Sequence, residues 1–254
     1  MKILTATDLH CVQSLYRELA EAVALHRPDV VALVGDFLDV AGSAHSQFTN
    51  AECARELSQM GCGKIVFTRG NHEAGNWWEF AEAWAGTGRP MHALHGEAFV
   101  DGPLVAVGFP CAMGDEAAYL GLREPLPEQP GDWLAQLLRK HGPAFRTLWL
   151  MHEPPRGTPL TGRDSLDSGN SCWNGAIARF SPWLVICGHD HGTPIETNQW
   201  HARLGRTLVV NAGQTDSGTL HYTVIEAEFP NNGPGLPSAM RVTAYPWEAT
   251  RLLP

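Results

Sequence analysis

Lysine is scarce in this chain, with only Lys2, Lys64 and Lys140 among 254 residues. Acidic residues outnumber lysine plus arginine by 27 to 18, a formal net charge of −9. Such a balance lacks the basic face that holds a nucleic-acid backbone or an anionic membrane. It disfavours a nuclease that tracks long nucleic acid for the same reason. Phosphate ligands stay possible, because a bound metal ion supplies positive charge locally. The six cysteines, Cys11, Cys53, Cys62, Cys111, Cys172 and Cys187, include no CxxC pair. They form no zinc-ribbon pattern, and a chain of this size needs no disulfide staples, so reduced thiols in a cytosolic protein are expected. No apolar run approaches the ~20 residues that span a bilayer. Met1–Thr7 lacks the basic-then-apolar order of a secretory signal. A soluble, cytoplasmic protein with no membrane partner is expected. No repeat, low-complexity tract or linker divides the sequence, and residues 1–254 read as one domain.

What the first half does have is alternation. Ile3–Thr7, Val30–Val34 and Ile65–Thr68 are short apolar runs that predict buried strands. Between them, Ser14–His26 places Leu15, Leu19, Ala22, Val23 and Leu25 on one helical stripe, and Ala51–Met60 and Trp77–Ala85 predict further helices. This rhythm implies crossover units and largely parallel strands. Ala98–Phe109 holds two runs split by Asp101-Gly102-Pro103, a hairpin turn. Cys111–Gly131 and Pro154–Gly175 read as long surface loops, of the kind that are functional or mobile in a compact domain. Trp133–Lys140 and Ala176–Phe180 predict helices. Strands are expected at Thr147–Met151, Trp183–Cys187, Thr207–Val210, His221–Ala227 and Arg241–Ala244. Two facing sheets with helices outside them fit this order.

The ends of those strands carry the chemistry. Asp8-Leu9-His10 follows the first, Gly35-Asp36 with Asp39 the second, and Gly70-Asn71-His72-Glu73 the third. His152 follows Thr147–Met151, and Gly188-His189-Asp190-His191 follows Trp183–Cys187. In α/β sheets the C-terminal rim of the strands is where ligands bind, so these groups are expected to converge. Carboxylates, a carboxamide and imidazoles together favour manganese, iron, zinc, cobalt or nickel over calcium. Asp8, His10, Asp36, Asn71, His152, His189 and His191 are too many ligands for one catalytic ion with an open position, and they suit two ions sharing a carboxylate. The Asp-x-His and His-x-His spacings fit an extended segment, where residues i and i+2 face the same side. The glycines before Asp36, Asn71 and His189 allow tight turns.

Taken in order, Asp8-x-His10, Gly35-Asp36-x-x-Asp39, Gly70-Asn71-His72-Glu73, His152 and Gly188-His189-x-His191 resemble the motif set of the calcineurin-like metallophosphoesterases. The resemblance runs from the first strand to about Gly213 and shows no departure at a metal position. It implies an α/β fold, a four-layer α-β-β-α sandwich with two mixed central sheets. It further implies that Asp8, His10, Asp36 and His191 hold one metal and that Asp36, Asn71, His152 and His189 hold the other, with Asp36 bridging. His72 would protonate the leaving alkoxide, and Asp39 would orient His72. The implied reaction is in-line attack on phosphorus by a metal-bridging hydroxide, and an imidazole is a suitable acid near neutral pH. The expected substrate is a small phosphodiester, with manganese the expected metal in vitro. A phosphomonoester is the alternative, and a non-catalytic metal-binding scaffold is disfavoured because the ligand set and His72 are complete.

Neighbouring residues have plainer readings. Asp39 alone could be a helix N-cap. Glu73 and Glu153 read as rim or surface residues, and Asp190 as a turn residue pointing away from the metals. Asn211 and Gly213 are expected to shape the loop behind the site. Packing against the sheet is favoured over lining a pocket for Trp77 and Trp78. Cys11 and Cys187 are expected in the core, on the opposite face from the ligands.

Overall fold

A computed structural model describes the chain except for residues 41–42, 44–45, 75–76, 110–130, 163–168, 216–217, 231–234, 248 and 254. The expected loop Cys111–Gly131 therefore lies almost entirely outside the described residues. Two mixed sheets form the centre. The first takes β1 (Lys2–Ala6), β2 (Val30–Val34), β3 (Ile65–Thr68) and β4 (His92–Ala93) side by side and parallel. Its other edge is antiparallel, with β11 (Tyr222–Glu228) beside β1, then β12 (Ala239–Tyr245) and β13 (Ala249–Leu253). The second sheet runs β5 (Glu97–Asp101), β6 (Leu104–Phe109), β7 (Leu148–Met151), β8 (Leu184–Ile186), β10 (Thr207–Val210) and β9 (His201–Leu204). Its four inner strands are parallel and its two edges antiparallel.

Side-chain alternation along each strand builds the layers. Ile3, Val30, Ala32, Val34 and Val66 point inward and meet Ala106, Leu148, Leu150, Leu184, Ile186, Leu208 and Val210 of the second sheet. The alternate residues Leu4, Val31, Leu33, Ile65 and Phe67 face outward under α1 (Gln13–His26), α2 (Asn50–Gln59) and α3 (Trp77–Gly86). Trp149, Met151 and Val185 do the same under α4 (Gly131–His141) and α5 (Ser171–Phe180). The result is the expected four-layer α-β-β-α sandwich. Among the described residues, no helix is long and apolar enough to cross a membrane.

Most elements match the expected spans to within a residue or two. The loop expected over Pro154–Gly175 ends earlier, because α5 starts at Ser171. The Asn170 side chain accepts the Cys172 N–H at 3.0 Å and caps that helix, a start signal that the surrounding glycines and serines obscure. β4, β9, β13 and the short helix α6 (Gly192–Thr197) were not expected from the sequence. β4 has two residues and α6 six, too few to show a period.

Candidate metal centre

The parallel strands β1, β2, β3, β7 and β8 bring their C-terminal ends to one rim, where all seven expected ligands meet. The backbone there is unusual. Asp8, His10, Asp36 and His189 have φ of 56°, 44°, 49° and 67°, a left-handed conformation that costs a non-glycine residue roughly 1–3 kcal/mol. Interstrand hydrogen bonds hold it: the Asp8 N–H donates to Gly35 O at 3.0 Å and the His10 N–H to Asp36 O at 2.9 Å. The extended i, i+2 geometry expected for Asp8-x-His10 and His189-x-His191 is therefore incorrect. The side chains converge because the chain turns sharply past the strand end, which re-aims each one. Cys11 likewise lies in this turn, at φ 56°, rather than on a strand face.

The three glycines before ligands have distinct reasons. Gly35 needs its φ of 82°, and a Cβ there would also run into the His152 ring. At Gly70 a Cβ would overlap the Asp36 carboxylate, and at Gly188 it would overlap Thr7 Oγ1 and come within 2.6 Å of Asp8 Oδ2. Those two are cradles for the carboxylates rather than turn formers.

Among the described residues three groups of donors have their ligating atoms within 4.8 Å of one another, His10 with Asp39 and His72 and two triads that hold six of the seven expected ligands: Asp8, His10 and His191, and Asp36, His152 and His189. Asp8 Oδ1 lies 3.2 Å from His191 Nε2, and Asp36 Oδ2 lies 3.1 Å from His152 Nε2. Asn71 Oδ1 is 3.1 Å from both His152 Nε2 and His189 Nδ1, which joins it to the second triad. His10 Nε2 and His191 Nε2 face each other at 3.1 Å. Two imidazole nitrogens at that separation can share at most one proton, whereas a divalent cation satisfies both lone pairs. The residues present thus fit a pair of metal ions.

Electrostatics bind the cluster internally. Burial pulls the His152 imidazole down, but the adjacent Asp36 carboxylate, with Asp8, lifts it to about 10. Burial likewise opposes the charge on His191, and Asp8 overrides it and raises His191 to about 9. Burial pushes Asp8 and Asp36 up, and the neighbouring histidines outweigh it and hold both below the usual carboxylate range. His10 goes the other way, lowered by burial.

His72 and Asp39 stand beside the triads. His72 Nδ1 lies 2.9 Å from Asp39 Oδ1, which fixes the ring and turns Nε2 toward Asp36, 3.9 Å away. Asp39 also accepts the Val40 N–H at 2.7 Å and is not the cap of α2, whose N-cap is Thr49 in a capping box with Glu52. A cavity of about 270 Å³ opens over Asp8, His10, Asp36, Asp39, Asn71, His72, His189 and His191, and Val12, Val40, Ser43 and Thr215 complete its lining. His152 is fully buried beneath it. A larger groove of about 600 Å³, lined by Phe145, Arg179, Trp183, Arg203 and Arg206, lies at the opposite rim and holds none of the ligating groups.

The supporting residues show one clear correction. Glu73, expected at the surface, is fully buried. Its carboxylate accepts backbone N–H bonds from Asp36 at 2.9 Å, Leu38 at 2.8 Å and Gly70 at 2.6 Å, tying the two motif loops together. Burial pushes this carboxyl up to about 8, with Asp36 adding to the push. Its place directly after Asn71-His72, inside a ligand motif, was the available signal. Thr7 was missed too: its hydroxyl donates to Asp8 Oδ2 at 2.7 Å. His152 Nδ1 donates to Val34 O at 2.9 Å, so Nε2 is the nitrogen turned toward Asp36 and Asn71. Asn211 donates to Gly188 O and Asp190 O and braces the His189–His191 turn, as expected. Asp190 points away from the triads and accepts the Gly162 and Thr193 N–H groups. Trp77 packs on Phe37 and Phe80, Trp78 is 75% exposed, and neither lines the cavity.

Residues 1–193 match the family model for calcineurin-like phosphoesterases. The chain belongs to that family. The family match and the two donor triads make this calcineurin-like protein a metal-dependent phosphoesterase. Its fold resembles TT1561 of Thermus thermophilus, with a TM-score of 0.63 and 20% identity over 88% of this chain and 92% of that one. It also resembles a dimetal phosphatase from Danio rerio, with a TM-score of 0.67 and 12% identity over 99% of this chain and 98% of that one. A comparison with curated proteins finds no match.

Proposed function

We propose that this calcineurin-like phosphoesterase hydrolyses a small phosphodiester with two divalent metal ions, and that the carrying observation is the convergence of six donors into two triads, with Asn71 as a seventh, beside a braced His72. Asp8, His10, Asp36 and His191 would hold one ion. Asp36, Asn71, His152 and His189 would hold the other, with Asp36 serving both. Ions bound there would neutralise phosphoryl oxygens and lower the pKa of water. The chain's own groups do the rest. Asp36 Oδ1 accepts the backbone N–H of His72 at 2.8 Å, so the shared carboxylate and the acid are held in register. Asp39 keeps His72 Nδ1 occupied, and Nε2 delivers a proton to the leaving oxygen. Apart from the expected ligands, His72 and Asp39, the described lining of the cavity is the neutral set Val12, Val40, Ser43 and Thr215. It suits the second, uncharged ester arm of a diester better than the extra charge of a monoester. Manganese is the first choice of metal for assays, with iron, zinc, cobalt and nickel as the panel. A cytoplasmic location fits the five free thiols among the described residues.

Elemental analysis should find about two metals per chain. Hydrolysis of bis(nitrophenyl) phosphate should exceed that of nitrophenyl phosphate, and Asp36→Ala and His152→Ala should each abolish both. Metal-free protein that gains nothing from added manganese would overturn the proposal, and a preference for the monoester would overturn the diester assignment.

A further inference from the structure

Cys11 and Cys53 are far apart in sequence, yet their sulfurs stand 3.3 Å apart in the core under α2. Both residues are buried, and no other thiol pair is in contact among the described residues. A disulfide is about 2.05 Å long, so the sulfurs have to close by only ~1.3 Å. Neither end is free to move alone. Cys53 sits in the first turn of α2, whose start is locked by the reciprocal Thr49–Glu52 bonds. Cys11 directly follows His10. Its N–H donates to Phe37 O at 3.2 Å, and its carbonyl accepts the Gln47 and Phe48 N–H groups at 3.1 and 3.0 Å. The preceding His10 N–H is bonded to Asp36 O at 2.9 Å. A pull on Cys11 is therefore transmitted to His10 and to the Asp36–Phe37 turn, which carry members of both triads.

We propose that Cys11 and Cys53 are a disulfide-forming modification site. Closing the bond draws the His10–Cys11 turn toward α2, moves His10 out of its triad and lowers turnover. With hydrogen peroxide as oxidant, one thiolate attacks oxygen and displaces hydroxide, which takes up the thiol's proton and leaves as water, giving a sulfenic acid. The second thiol displaces that hydroxyl as a further water, so two thiols and one peroxide give one disulfide and two waters. A thiol reductant reverses the step by exchange. The effect on turnover rests on the proposed phosphoesterase site, whereas the bond itself does not.

The test uses the metal-loaded protein and diamide, which removes two hydrogens from a thiol pair without oxidising the metals. Titratable thiols should fall from the six of the sequence to four, and peptide mapping should join Cys11 to Cys53. Turnover should fall ~10-fold or more, since a ~1 Å misplacement near reacting groups costs up to ~100-fold, and dithiothreitol should restore it. Cys53→Ala should keep basal turnover and resist diamide. Absence of the Cys11–Cys53 link in the unsubstituted chain overturns the site, whatever the activity assay shows. A link without loss of turnover, or equal loss in Cys53→Ala, overturns the coupling to the metal centre.

Discussion

Glu73→Ala perturbs the one carboxylate that ties the Asp36 turn to the Gly70 turn. It leaves the N–H groups of Asp36, Leu38 and Gly70 without their acceptor, three donors that now sit at 2.6–2.9 Å from it. An orphaned buried donor costs about 1–3 kcal/mol, so the dry limit is ~3–9 kcal/mol. Water entering the polar space left behind recovers part of this, and ~3 kcal/mol is the working expectation. For a chain of this size each kcal/mol shifts Tm by about 2–4 °C, which places the loss at ~6–12 °C. Glu73→Gln separates the contributions. One oxygen, Oε2, serves both Asp36 and Gly70, while Oε1 serves only Leu38. The amide should therefore turn its oxygen to the pair and its NH₂ to Leu38, leaving one donor facing a donor and losing about a third as much. Differential scanning fluorimetry on the three proteins, with metal titration on each, tests the ranking. A Glu73→Ala protein within ~1 °C of the parent would refute the brace.

Other outcomes follow from the same geometry. His152 and His191, lifted to about 10 and about 9 by Asp36 and Asp8 against burial, are protonated at neutral pH in the metal-free protein and must release protons to ligate. Apparent manganese affinity should therefore rise between about pH 7 and pH 9, by up to ~10-fold per pH unit for each proton released, and a flat affinity in isothermal titration across that range would refute this. Gly70→Ala places a Cβ on the Asp36 carboxylate. It should cost ~1–3 kcal/mol by overpacking and most of the activity, read as Tm and kcat/KM together. Asn170→Ala removes the α5 cap together with the Asn170 donor to Glu153 at 3.0 Å, and should cost ~1–2 kcal/mol by urea denaturation.

The layers were legible because each central strand is a short apolar run and each crossover helix carries a stripe such as Leu15, Leu19, Ala22 and Val23. The strand-end positions of Asp8, Asp36, Asn71, His152 and His189 were legible too, since the rim of a parallel sheet gathers whatever follows its strands. Less legible was anything decided by contacts between loops. Nothing in the residue type of Glu73 distinguishes a surface carboxylate from one buried under three N–H donors, because two of its partners, Asp36 and Leu38, come from the other motif loop. Gly70 and Gly188 looked like turn formers, yet what they provide is room for Asp36 and Asp8, carboxylates that lie far from them in the chain.

The sequence by itself determined which groups could ligate and, through the order of strands, that they would share one rim. Local periodicity and strand direction are short-range properties, and a chain carries them in adjacent residues. Only the tertiary structure decided how Asp8 and His10 come to face one another's partners. The extended geometry inferred from their spacing is replaced by left-handed turns at Asp8, His10, Asp36 and His189. Those conformations are costly in isolation, and hydrogen bonds from one strand end to the next maintain them. The same long-range packing sets the Cys11 and Cys53 sulfurs side by side, which no spacing in the sequence announces.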